Sequence, residues 1–113
     1  MSFAPRNTTD PKSEIVREVR GVLEEMFTET GMETILYYLK IDYGTDLNSA
    51  WKDPIKFQES ILEFLGDFGG KLILRRMVGR VFRLSLQSMP APQDALNLEV
   101  AVARFLSPNL PAR

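Results

Sequence analysis

The chain contains no cysteine and no histidine. The first absence excludes a disulfide framework, a thiolate nucleophile and a cysteine-held iron–sulfur cluster. The second removes the commonest metal ligand and the commonest general base near neutral pH. No apolar run approaches the roughly 18 residues of a membrane span. The opening Met1–Lys12 lacks the apolar core of a signal peptide. Neither sign of charge dominates: 14 basic residues face 15 acidic ones, a net charge of −1. A dedicated nucleic-acid binder is usually basic. These absences lead us to expect a cytoplasmic protein that is not an enzyme, has no membrane association and needs no cofactor or metal.

What remains is ordinary material for one small domain. A length of 113 residues, 44% of them apolar, is enough for a single hydrophobic core. The near-neutral total conceals a polarised chain. Between Glu24 and Asp67 ten acidic residues face only Lys40, Lys52 and Lys56, whereas Lys71–Arg83 holds five basic residues and no acid.

The hydrophobic pattern is helical. Asp10-Pro11 offers a cap and a first-turn proline. Ile15, Val16, Val19, Val22, Leu23, Met26 and Phe27 then recur at helical spacing. Gly31 is placed to end this helix, and Thr30 with Glu33 has the capping-box spacing that would start a second one at Met32–Tyr43. Its main stripe is Met32, Ile35, Leu36 and Leu39, while Tyr37 and Ile41 lie nearly opposite. Thr45–Lys52 reads as a polar connection carrying the single tryptophan, Trp51. Asp53-Pro54 starts a third helix, striped by Phe57, Ile61, Phe64 and Leu65, and Gly66 ends it. The fourth, Asp67–Leu86, opens with Gly69 and Gly70. Each glycine costs about 1 kcal/mol inside a helix, so close backbone contact is expected there. Ile73, Leu74, Met77, Val78, Val81, Phe82 and Leu84 form a broad apolar arc, with Arg75, Arg76, Arg80 and Arg83 outside it. An arc that wide suits a central helix.

Beyond Leu86 the pattern is ambiguous. Ser88–Pro92 is a stiff, proline-bearing break. Residues 95–106 fit a helix capped by Asp94, with Leu98, Val102, Phe105 and Leu106 on one face. Residues 95–103 also alternate well enough to pair with 80–87 as a β-hairpin. Ala, Leu, Glu and Arg favour the helix. The expected organisation is a tail over 1–9, a helical core over 10–87, and a linker with a C-terminal segment over 88–113 that packs on the core or on a partner.

Several motifs resemble active-site signatures without their context. Asp67-Phe68-Gly69 spells the kinase metal-binding triplet, yet no catalytic-loop signature accompanies it. Gly66–Gly70 follows a helix rather than a strand, and Leu72 stands where a phosphate loop needs Ser or Thr. Glu24, Glu25, Glu29 and Glu33 have no calcium-loop spacing and read as a solvated face. The arginine stripe has no interleaved aromatics, so a pairing with the acidic segment or a protein partner outweighs nucleic acid. Tyr37, Tyr38, Tyr43 and Trp51 serve either a core or an interface, where Tyr and Trp are enriched.

Three pieces in order resemble the Nitrosopumilus output domain family, a small archaeal helical family. They are Ile35-Leu36-Tyr37-Tyr38-Leu39 running into Asp42-Tyr43-Gly44, Asp53-Pro54 followed by Phe57, and Phe64-Leu65-Gly66 with its downstream glycines. The resemblance spans about residues 31–81, leaves 90–113 outside, and has Phe68 where a small residue is expected. It implies a helical output or interaction module of signalling proteins with no established catalytic activity. The combined reading is an all-α domain of four helices plus a C-terminal segment, acting in protein–protein interaction or signal output, as a homodimer. A transcription-related nucleic-acid binder is second, and a small-molecule sensor with a pocket between helices third. The candidate partner surface comprises Tyr37, Ile41, Trp51, Arg75, Arg76, Arg80 and Arg83.

Overall fold

A computed structural model describes residues 10–85 and 90–107. The fold is all-α: α1 (Pro11–Met26), α2 (Glu29–Tyr43), the single-turn α3 (Ser49–Lys52), α4 (Pro54–Leu65), α5 (Asp67–Leu84), a 3-10 turn (Pro92–Asp94) and α6 (Leu98–Leu106). No described residue is in a strand. Residues 98–106 are thus a helix, and residues 80–84 belong to α5. Residues 86–87 of the alternative hairpin lie outside the described residues, as do the expected tail at 1–9, Ser88-Met89 of the break, and 108–113.

Local chemistry sets the boundaries, and several differ from those the sequence suggested. Asp10 caps α1 with its backbone rather than its side chain: its carbonyl accepts the Glu14 amide at 3.1 Å. Gly31 does not end α1. The chain breaks at Phe27 in an extended conformation, and Thr28 caps α2 by accepting the Gly31 amide at 3.0 Å. The cap therefore sits two residues earlier than Thr30, because Thr28 is the one with extended backbone. Gly44, at φ 68°, ends α2, and the Gly44 and Thr45 amides close back on Lys40 and Leu39. The connection at 45–52 contains α3, held at its start by the Asp46 carboxylate accepting the Ser49 amide. Asp53 caps α4 through its side chain, accepting the Lys56 amide at 3.3 Å. Asn97, not Asp94, caps α6 by accepting the Val100 amide, since the 3-10 turn absorbs Asp94.

α5 is the hub, packing against α4, α6 and α1. Its buried residues Ile73, Leu74, Met77, Val78, Val81 and Phe82 reproduce the broad arc apart from Leu84, which is half-buried. Around it lie Ile15, Val19, Val22 and Leu23 of α1, Phe57 and Ile61 of α4, and Leu98, Ala101 and Val102 of α6. Leu65, expected in the core, is only half-buried because α4 ends there at Gly66. The amide of Leu98 donates to the Gln58 side-chain oxygen at 2.9 Å and ties the start of α6 to α4. α2 is peripheral and leans on α4 and α1.

The turn between α4 and α5 is one residue, Gly66 at φ 88°. The two helices then approach so closely at Gly70 that a Cβ there would lie 2.9 Å from the Leu62 Cα and 3.0 Å from the Ile61 carbonyl oxygen. Phe68 does not disturb this packing, because it points to solvent. Gly69, by contrast, faces open space. Gly70→Ala should therefore lower stability by about 1–3 kcal/mol, overpacking outweighing the better helix propensity of alanine. Gly69→Ala should be neutral or stabilising. Chemical denaturation of the two variants checks this, and equal effects would refute the close contact.

Candidate functional site

The sequence-derived candidates fall into separate regions. Tyr37 and Ile41 lie together on the outer side of α2. They are 60% and 61% exposed, while Met32, Ile35 and Leu39 on the opposite side are buried. Among the described residues, the C-terminal segment does not cover them. α6 directs Leu98 and Val102 into the core against α5 instead. Tyr38 flanks this face, edge-on to Tyr37 at 5.2 Å and stacked on Phe64 of α4 at 6.0 Å between ring centroids. Tyr43 meets the same Phe64 ring at 6.2 Å. The phenylalanine thus anchors α2 to α4 and leaves Tyr37 outside the anchor.

Trp51 is half-buried on α3, beside the start of α1. Its indole N–H donates to the Asn48 side-chain oxygen at 3.2 Å, and the Lys12 ammonium lies 4.6 Å from the ring centroid. That placement suits a local packing role, with cation–π contact on the ring.

The arginines also divide. Arg75, Arg76 and Arg83 are exposed, and none forms an ion pair with a described residue. Arg80 lies across α1 and pairs with Glu18 at 3.4 Å and with Glu25. Gly21 makes room for it: a Cβ at Gly21 would sit 2.7 Å from the guanidinium Nη1. Glu18, Gly21 and Glu25 share one side of α1 at helical spacing, forming a notch with a carboxylate at each end. An open cleft lined by Glu18, Arg80, Arg83 and Leu84 adjoins this notch. Of the four glutamates read as a solvated face, Glu24 pairs with Arg20 and Glu25 with Arg80.

Among the exposed apolar residues that periodicity does not single out, Ile55 lies at the start of α4 and two others lie on α5. Phe68 is 86% exposed, and Leu72, one turn later, is also exposed. The available signal was their position outside the α5 apolar arc, on the side that also carries Arg75 and Arg76.

A model of Nitrosopumilus output domain 5 matches residues 9–104. The chain belongs to that family. The match extends well beyond the resemblance seen over 31–81: it takes in α1 and, contrary to expectation, most of α6. Both helices pack on α5, so the family's sequence pattern spans the elements that close this core. No curated protein and no solved structure matches the chain.

Two outcomes follow from this geometry. Arg80→Ala should destabilise by about 1–2 kcal/mol, since it strips two carboxylates of a partly buried partner, whereas Arg76→Ala should stay within about 0.5 kcal/mol. Denaturant titration separates them, and equal losses would contradict the notch. Tyr43 yields a pH dependence. Burial, reinforced by Glu63 and Asp42, raises its phenol above the ordinary value of 10.0. The folded state therefore holds this proton more tightly than the unfolded one. The associated stability is present below about pH 10 and is lost as pH rises through the folded value. Tyr43→Phe should flatten the decline of stability above pH 10, measured by denaturation at stepped alkaline pH.

Proposed function

We propose that this domain is a non-enzymatic output module that works by protein–protein contact and assembles as a homodimer through the outer side of α2. The observation that carries the reading is the exposed pair Tyr37 and Ile41, on a helix whose other side already contributes Met32, Ile35 and Leu39 to the core. Large apolar side chains that no described residue covers favour a partner, and a twofold axis lets one patch bury itself. Membership of an output-domain family supports the signalling role. No helix among the described residues is long and apolar enough to cross a membrane.

A second reading rests on Arg75, Arg76 and Arg83, which are exposed on α5. In this reading they contact phosphates, and affinity for DNA or RNA falls steeply with salt as counterions are released. Arg80 is not a suitable probe, because it is committed to α1. Arg76→Glu with Arg83→Glu tests the stripe and leaves that pairing in place. Absence of a salt-dependent mobility shift at low ionic strength would remove this reading.

Sedimentation tests the first. The wild-type chain should sediment as a dimer at micromolar concentration. Tyr37→Glu with Ile41→Glu should sediment as a monomer with an unchanged helical circular dichroism spectrum, because the charges block the interface and spare the core. A wild-type chain that remains monomeric at high micromolar concentration would overturn the homodimer.

A further inference from the structure

The solvent side of α2 has an internal symmetry that specifies how two copies would meet. Viewed down the helix axis, the exposed residues Glu33, Thr34, Tyr37, Lys40 and Ile41 all lie within about 60° of Tyr37. Tyr37 is at the centre. Glu33 and Lys40 both fall on one edge, about 40° and 60° from the centre, and Thr34 and Ile41 fall on the other at similar angles. Along the axis, Glu33 lies about 6 Å before Tyr37 and Lys40 about 4.5 Å beyond it; Thr34 and Ile41 show the reverse offsets. Neither Glu33 nor Lys40 forms an ion pair with a described residue.

We infer that two copies pair through antiparallel α2 helices on a twofold axis at Tyr37, with Glu33 of each copy against Lys40 of the other. The inference rests on the homodimer reading above and adds its orientation and register. Such an axis reverses the direction along the helix and keeps each edge facing its own counterpart. It brings Tyr37 against its twin, Thr34 against the second copy's Ile41, and Glu33 against the second copy's Lys40. One edge of the seam is uncharged, with Thr34, its hydroxyl donated to the Thr30 carbonyl, packing on Ile41, and the other holds two reciprocal ion pairs. A parallel twofold pairing would instead set the Glu33–Lys40 edge against the Thr34–Ile41 edge, placing Glu33 opposite Thr34 and Lys40 opposite Ile41 with neither charge compensated. The charge pattern therefore selects the antiparallel arrangement. Thr30 and Gly44, at the two ends of the face, are small enough to let the helices approach.

Charge reversal tests the register. Glu33→Lys gives copies with lysine at both positions, and Lys40→Glu gives copies with glutamate at both. Each variant alone should dissociate at about tenfold higher concentration than wild type or more, since like charges then face each other twice. An equimolar mixture of the two should form a heterodimer with near wild-type affinity, because every contact is again between opposite charges. The double exchange Glu33→Lys with Lys40→Glu should restore the homodimer. Recovery in the mixture also shows that both single variants are folded. If wild type dimerises and Tyr37→Glu with Ile41→Glu abolishes it, yet the single reversals associate as wild type does and mix without preference, the register is wrong and the homodimer stands. If the wild-type chain is monomeric, the homodimer itself fails.

Discussion

The approach of α4 to α5 at Gly70 is the constraint on which the rest of the fold depends. A one-residue turn at Gly66 folds α5 back against α4, and the missing side chain at Gly70 lets the two backbones come into contact. That places the broad apolar arc of α5 where α1 and α6 can close over it. Phe57 and Ile61 of α4 are then buried completely, each contributing roughly 1.5–3 kcal/mol by leaving water. Side chains on both helices at this crossing would push the arc outward and open the core along its length.

The second fixed point is electrostatic. Arg80 leaves the basic side of α5 and enters the Gly21 notch of α1, where two carboxylates receive it. This contact converts part of the chain's polarity into an internal link. A stripe that reads as four equivalent arginines therefore has two roles. Arg80 joins helices, and Arg75, Arg76 and Arg83 give α5 its positive outer side. Glycine again makes the difference, since a side chain at position 21 would compete with the guanidinium for the same space.

Much of this architecture is legible in the sequence because helical periodicity is a local property. The α1 stripe, the α5 arc, the Gly44 and Gly66 stops and the Asp53 cap all follow from residues within a turn or two of each other. The sequence misleads where two residues a few positions apart could play one role. Thr28 and Thr30 both offer a hydroxyl to cap α2, and backbone conformation decides for Thr28. Asp94 and Asn97 both precede α6, and the 3-10 turn decides for Asn97. The hairpin alternative came from a short segment whose alternation and helical stripe share Leu98 and Val102. Its burial against α5 as a helix is a long-range fact, invisible locally. The Gly21–Arg80 contact, between residues far apart in the chain, is likewise beyond the reach of periodicity.

The candidate surface was legible for the same local reason, and only in part. That Tyr37 and Ile41 oppose the buried stripe follows from helix geometry alone; that nothing described covers them required the position of α6. Residue type alone groups Trp51 with them, although α3 places it beside α1. Removing it leaves a compact face with its own pattern. A helix that merely needed solubility on its outer side would favour short polar or charged residues at Tyr37 and Ile41, because exposed apolar surface invites association. Here the two large apolar residues sit at the middle and along one edge, with opposite charges along the other. Phe64 joins the helix that carries this pattern to α4, which meets α5 at the Gly70 crossing, so the patterned face and the buried core are built on contiguous packing.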